Sequence, residues 1–342
     1  MSVLHLLGTA GEGGAETYFL DLVAALAGDG IGQAAAIRAN ANREAALKRL
    51  QVPTGVFRFG GPIDLLTKPK LAGFAQKHEV RLALAWMNRA ARHTPKGPWA
   101  RIGRLGGYYN LKYYRGFDEL VANTEDIADW VVAQGWPAGK VRYIPNFALA
   151  PPNVPPAARA ELQTPDDVPL LLAMGRLHEA KAHDVALEAL RKIPDAYLWI
   201  AGAGGLETKL KAMAQALGVA PRVRFLGWRN DPSALYRAAD ISVFPSRYEP
   251  LGNVVIQSWA HGLPVVAAAS QGPAALIRDE EDGLLVPIDE PEALAQAVNR
   301  LIADPALRAR LVQQGAGRVQ AELSPTAVVA QWRQLFADYG AA

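Results

Sequence analysis

The chain alternates short aliphatic runs with amphipathic stretches of helical period. In the first half the runs are Val3–Leu7, Ala34–Ile37, Val80–Ala85, Leu120–Ala122 and Val141–Ile144. They are too short for helices and show no polar alternation, so they read as strands buried on both faces of a parallel sheet. The spacing predicts a helix over Glu16–Ala27, and residues 43–77 read as helix, strand, helix. Asn123-Thr124-Glu125-Asp126 predicts a further helix start, with Thr or Asn accepting from orphan N–H groups. In the second half the strands are Pro169–Met174, Tyr197–Ala201, Val223–Leu226, Ile241–Phe244, Val265–Ala267 and Leu284–Val286. Helices are expected up to about Arg191, from Leu206, and over Asp231–Ala239 and Gly252–His261. Gly262 sits where a C-cap belongs and Pro264 bars continuation. Ala268–Pro273 reads as a loop and Asp279–Asp282 as a turn, followed by closing helices over 291–303, 305–322 and 324–339.

Strands and helices thus alternate in two arrays, which is the pattern of a doubly wound α/β fold. The extended Pro151–Pro156 segment separates them. The expected organisation is a Rossmann-like domain over 1–150, a linker over 151–168, a second Rossmann-like domain over 169–322, and a last helix over 323–342. A length of 342 residues agrees, since one core rarely serves beyond about 250–300 residues. Half the residues are hydrophobic and a fifth charged, a globular composition. No apolar run reaches the roughly 18–20 residues of a membrane span. The start of the chain lacks the basic segment and cleavage site of a signal peptide. Cysteine is absent, which excludes disulfide and thiolate chemistry and fits a cytoplasmic setting. The net charge of +3 is small, so its placement carries more information than its size.

Chemistry concentrates at the strand ends. Gly8–Gly14 follows the first strand, and Gly13 and Gly14 let backbone approach a ligand. The glycines do not fall as G-x-G-x-x-G, the second strand ends in Arg38 rather than an acid, and no G-x-x-x-x-G-K-[ST] occurs, so neither a dinucleotide fingerprint nor a P-loop is present. Arg176 and Lys181 lie between a strand and a helix, where a guanidinium and an ammonium stabilise charge developing on a phosphate. Gly202 and Gly204 follow the next strand. Glu249 stands just before a helix, with Leu251, Gly252 and Asn253 at its start and Gln257 within it. Carboxylate, loop and helix N-terminus together suit an anionic, hydroxyl-rich ligand.

Trp86–Gly116 holds Arg89, Arg92, Lys96, Arg101, Arg104, Lys112 and Arg115 with no acidic residue, interleaved with Trp86, Trp99, Tyr108, Tyr109, Tyr113 and Tyr114. Such a stretch suits a nucleic acid, an anionic membrane surface or an anionic saccharide, or a solvated face over packed aromatics. No nucleic-acid recognition motif accompanies it. Asn88 and Arg89 leave the carboxyl end of a strand, where α/β sheets place ligands.

The stretch from Glu249 to the Gly262-Leu263-Pro264-Val265-Val266-Ala267 ending resembles the signature of family 4 glycosyltransferases, with Gln257 in place of the second Glu. Gly-Gly-Ala-Glu at 13–16, Arg176 with Lys181, the strand–Gly202-Ala203-Gly204–helix unit and Pro145-Asn146 are also similar to that family. The resemblance implies the GT-B architecture, two Rossmann-like domains facing across a cleft, and retaining transfer without a metal ion or cofactor from a UDP- or GDP-sugar. It implies donor contacts at Gly13, Gly14, Arg176, Lys181, Gly202, Gly204, Glu249, Leu251, Gly252, Asn253 and Gln257, with Glu249, Arg176 and Lys181 catalytic. On this basis Asn88, Arg89, His93, Arg104 and Tyr108 are acceptor candidates, and the acceptor is a saccharide or glycolipid of the lipopolysaccharide or envelope glycan kind. The expected setting is the cytoplasm, with peripheral contact to the anionic inner-membrane surface and no nucleic acid. A nucleotide-sugar epimerase of the same fold and a weakened or non-catalytic relative are the alternatives. Gln257 keeps one acceptor and adds a donor, so losing one charge-assisted bond to a ribose costs about 1–2 kcal/mol rather than all binding.

Overall fold

The computed structural model describes residues 2–11, 13–61, 63–151 and 153–341. Glu12 of the first glycine loop and Pro152 of the proline-rich segment lie outside the described residues. The chain forms two compact units, Met1–Asn146 with Pro325–Ala342, and Phe147–Ser324.

The first unit is built on strands β1 (Ser2–Leu7), β2 (Gln33–Ile37), β3 (Thr54–Val56), β4 (Val80–Trp86), β5 (Ala100–Leu105), β6 (Glu119–Ala122) and β7 (Val141–Tyr143). They form one parallel sheet in the order β3-β2-β1-β4-β5-β6-β7. Leu4, Leu6, Leu82 and Leu84 are fully buried, as a sheet covered on both faces requires. The helix Pro325–Asp338 belongs to this unit. It buries Val328, Trp332, Leu335 and Phe336 completely, each worth about 1.5–3 kcal/mol. Arg142 joins Glu119 on β6 to Asp338, and the Tyr339 hydroxyl donates to Glu119 at 3.0 Å.

The second unit has strands β8 (Leu170–Met174), β9 (Tyr197–Ala201), β10 (Val223–Gly227), β11 (Ile241–Phe244), β12 (Val265–Ala268) and β13 (Leu284–Val286), in the order β10-β9-β8-β11-β12-β13. In both units the order runs outward from the first strand and then reverses beside it. The reversals, between β1 and β4 and between β8 and β11, are the topological switch points at whose carboxyl ends α/β sheets bind ligands.

Two elements lie where the sequence marked none, and two local expectations change. Ala100–Leu105 is a central strand inside the basic stretch, pairing Trp86 with Arg104 and Ile102 with Glu119. Its Arg101, Gly103 and Arg104 break the aliphatic run that marks the other strands. Met87–His93 is a helix directly after β4. Gln271–Leu276 is a helix rather than a loop. The helix from Pro305 ends at Arg318 and continues as a π-turn over Val319–Leu323. The anticipated helix start near Thr124 forms with Thr124 as the cap, accepting from Ile127 N–H at 3.1 Å.

Candidate functional site

In the second unit the β8 and β11 loops meet over the switch point. The β8 loop runs through Gly175, Arg176 and Leu177 to the 3-10 turn Glu179–Lys181 and then, after Ala182 in left-handed backbone, to the helix His183–Leu190. The β11 loop carries Ser246 to Gly252 into the helix Asn253–Ala260. Lys181 Nζ donates to Glu249 Oε2. The second oxygen of Glu249 accepts from Leu251 N–H at 3.4 Å and Gly252 N–H at 3.3 Å, so the carboxylate caps its own turn. The Glu249 carbonyl accepts from Gly272 N–H at 2.7 Å. Gly252 has φ 93° and no side chain to cap the helix it begins. Arg176 is exposed and forms no ion pair with a described residue.

Arg247, to which the sequence assigned no role, fastens the same two loops. It grips Asp184 with both terminal nitrogens at 3.0 and 2.7 Å, donates to the Glu179 carbonyl at 3.0 Å and pairs with Asp289 at 2.5 Å. The Arg247 guanidinium and main-chain N–H bonds hold the Asp184 carboxyl below its ordinary value against the opposing effect of burial. His183 is buried against the Gly175 carbonyl, 3.3 Å from Nε2, and burial pushes it down to about 4. It is therefore neutral near pH 7.

The glycines after β9 are required by packing. A Cβ on Gly202, at φ 151°, would lie 1.9 Å from the Gly175 oxygen, and one on Gly204 would lie 2.4 Å from the Leu177 oxygen. They let the β9 loop lie directly against the backbone that carries Arg176. Gln257 is half-buried in the second turn of its helix, one turn after Asn253 on the same face.

In the first unit Gly13 precedes the helix Gly14–Gly28 and its carbonyl accepts from Thr17 N–H at 2.9 Å. Arg43, buried and unremarked in the sequence, fixes this loop through the carbonyls of Thr9 at 2.9 Å and Gly11 at 2.8 Å. Across the switch point Met87 bends β4 into its helix at φ 62°. Asn88 has a buried Oδ1 without a described partner, and Arg89 is exposed beside Gly8, whose Cβ would meet its Cγ at 2.9 Å.

The remaining acceptor candidates divide. Tyr108 donates to Asp126 and packs edge-on to Trp130 at 5.4 Å between ring centres. His93 is buried, with Nε2 3.0 Å from the Gly60 carbonyl and its ring against Phe59. These contacts occupy it in holding the Gly60 loop. Arg104 is also buried rather than displayed, its guanidinium 4.7 Å from the Trp86 ring centre and 4.8 Å from that of Tyr18, and it donates to Asn146.

The model of a protein family described as glycosyl transferases group 1 matches residues 156–318. The lipopolysaccharide core biosynthesis glycosyltransferase LpsE of Rhizobium meliloti strain 1021 is 37% identical over 331 residues, covering 96% of each chain. LpsD of the same organism, with the same description, is 36% identical over 346 residues, covering 100% of this chain and 99% of its own. Among solved structures, HepE of Anabaena in complex with UDP superposes with a TM-score of 0.85 at 21% identity, covering 99% of this chain and all of that one. That likeness establishes a shared GT-B architecture of two parallel-sheet α/β domains. With more than a third of its residues identical to each full-length relative, the chain belongs to the glycosyl transferases group 1 family and is a glycosyltransferase.

Proposed function

We propose that the protein transfers a sugar, with retention, from a nucleotide-diphosphate donor to a saccharide or glycolipid acceptor in lipopolysaccharide core or related envelope glycan synthesis. The observation that carries this reading is the junction of the β8 and β11 loops at the switch point, where Lys181 donates to Glu249 and the β8 loop also carries Arg176. The descriptions of LpsE and LpsD support the acceptor class. The UDP bound by HepE supports a uridine donor over a guanosine one.

In this reading the diphosphate lies on Arg176, Lys181 and the start of the helix Asn253–Ala260, and Glu249 receives donor-sugar hydroxyls. Gln257 meets the ribose. The anomeric C–O bond to phosphate breaks, its electron pair passing to the β-phosphate oxygen. The acceptor hydroxyl attacks from the same face and its proton goes to that oxygen. The two cations offset the negative charge that develops on the leaving group, without a metal ion or cofactor. Gly13, Gly14, Asn88 and Arg89 are the groups of the first unit assigned to substrate.

Peripheral attachment to the cytoplasmic face of an anionic membrane is part of the proposal. Ile63, Leu65 and Leu66 are 89%, 78% and 67% exposed and lie just before Lys68 and Lys70, and apolar tips with basic neighbours favour anionic bilayers. No helix among the described residues is long and apolar enough to cross a membrane.

The test is a thermal-shift screen of nucleotides followed by turnover of UDP- and GDP-sugars with a lipopolysaccharide-core acceptor. Stabilisation by UDP and transfer with the anomeric configuration kept is expected. Inversion of configuration, or release of UDP with an epimerised sugar and no acceptor product, would overturn the reading.

A further inference from the structure

A second place in the first unit gathers positive charge. A cavity of about 350 Å³ is lined by Lys68, Arg92, Lys96, Arg101 and Arg115. Its walls come from four segments: the first turn of the helix Thr67–Lys77, the last turn of the helix Met87–His93 with the residues after it, the start of β5, and the chain before Phe117. None of the proposed donor or acceptor contacts lines it.

None of the five cations forms an ion pair with a described residue. The neighbouring carboxylates are committed elsewhere. Asp118 accepts from the Arg101 backbone N–H at 2.8 Å, and Asp64 accepts from Gly60 N–H and the Thr67 hydroxyl, both at 2.6 Å. The Thr94 hydroxyl, also in the wall, is spent on the Ala90 carbonyl at 2.9 Å. Arg101 is held in place: it donates to the Gly116 carbonyl and its guanidinium stands 5.4 Å from the Phe117 ring centre. A guanidinium fixed in this way has little freedom left to lose on binding, and its remaining N–H groups suit the paired oxygens of a phosphate.

Like charges drawn around one hollow repel one another, and low-dielectric walls focus their field. An anion of high charge density offsets that repulsion. A carboxylate carries one charge, whereas a phosphomonoester carries nearly two and has three acceptor oxygens. We propose that this cavity is a binding site for a phosphomonoester group, separate from the diphosphate of the donor. Two sources share that chemistry: a phosphorylated sugar, and the head group of an anionic lipid.

The experiment titrates wild type, the Lys96→Gln/Arg115→Gln variant and Arg176→Ala with glucose 6-phosphate by calorimetry at low salt. The same proteins are co-sedimented with vesicles containing phosphatidic acid or only phosphatidylcholine. Both cavity residues are exposed, so the variant is expected to melt as wild type does and to retain its UDP affinity. The expected result is at least tenfold weaker binding of glucose 6-phosphate or phosphatidic acid vesicles by the cavity variant, with Arg176→Ala unchanged. Loss for the soluble ester identifies a phosphorylated sugar, and loss for the vesicles alone identifies a lipid. If both ligands bind the cavity variant and wild type equally, or only Arg176→Ala loses them, the site does not exist. UDP affinity reports independently on the donor reading.

Discussion

Lys181 donates to Glu249 across 68 residues of sequence, joining the loops of two strands that are neighbours only because the sheet order reverses between them. Both side chains are largely shielded, at 20% and 14% exposure. On the proposed reading, a donor diphosphate would compete with Glu249 for the ammonium, and the sugar hydroxyls for the carboxylate. The pair ties the β8 loop to the β11 loop.

Lys181→Ala should weaken UDP binding by roughly tenfold to thirtyfold, the loss of one charge-assisted contact of about 1.5–2 kcal/mol. Glu249→Ala should reduce transfer at least a hundredfold, on the order of 3 kcal/mol of transition-state stabilisation, with UDP affinity less affected. Calorimetry and initial rates separate the two. Unchanged transfer in Glu249→Ala would falsify the catalytic assignment.

Gln257→Glu should tighten UDP binding by up to about tenfold, since a second acceptor oxygen with full charge replaces an amide. Cytidine and uridine diphosphates should both respond, because ribose is common to them. An unaltered dissociation constant means that Gln257 does not meet the ribose.

Gly202→Ala should remove the fold of the second unit or cost more than about 3 kcal/mol, because its Cβ has no room beside the Gly175 oxygen and both partners are backbone. Gly205→Ala, where a Cβ meets nothing within 4 Å, is the control and should melt within about 2 °C of wild type. Equal melting of the two variants contradicts the packing account.

Arg104 and Asn146 make a more hidden dependence. The guanidinium is buried between the Trp86 and Tyr18 rings and donates to Asn146, the last residue of the first unit before the chain passes into the second. Burial lowers its pKa, and the nearby tyrosines act in the opposite direction. Asn146→Ala leaves part of a buried cation without its acceptor, at a cost of about 2–3 kcal/mol. Asn146→Asp should recover stability, since it restores an acceptor and adds a counter-charge. Denaturant melts read both, and a harmless Asn146→Ala would show that the contact carries little.

Acid should act on the two units in different ways. Burial depresses His5 and His183 to about 4. The stability tied to their neutral forms is complete above about 6.5 and is lost as pH falls through 4, up to roughly 3 kcal/mol for each. Asp21 is shifted the other way, raised to about 6 by burial. Its contribution is present below about 4 and is lost as pH rises through 6. Asp21→Asn should therefore stabilise the first unit by roughly 2 kcal/mol at pH 7.5 and change little at pH 4. His183→Gln should flatten the acid side of the second unit's profile. Melts from pH 4 to 8 followed at both transitions test each sign.

Much of this molecule was legible from residue order. Aliphatic runs such as Val3–Leu7 and Ile241–Phe244 marked buried parallel strands, because a sheet covered on both faces needs apolar side chains on both. The family motif from Glu249 onward, with Arg176 and Lys181, marked the loops that the fold then brought to one switch point. Strand β5 escaped because Arg101, Gly103 and Arg104 interrupt its apolar run. Arg104 can be buried there only because two aromatic faces and Asn146, distant in sequence, surround it. Gly103 is demanded by the Tyr114 ring, 2.5 Å from where its Cβ would be.

What residue order determined on its own was local: which segments bury both faces, where helices begin and stop, and which chemistry follows each strand. Those are consequences of short-range sterics and periodicity. Only the tertiary structure decided that Gly202 answers to the Gly175 carbonyl, that His93 and Arg104 face inward, that Arg247 rivets two loops, and that Lys68, Arg92, Lys96, Arg101 and Arg115 line one cavity without an ion pair to a described residue. Each of these depends on contacts between segments far apart in the chain. Hydrophobic burial and strand pairing bring such segments together non-locally, and no window of sequence contains both partners.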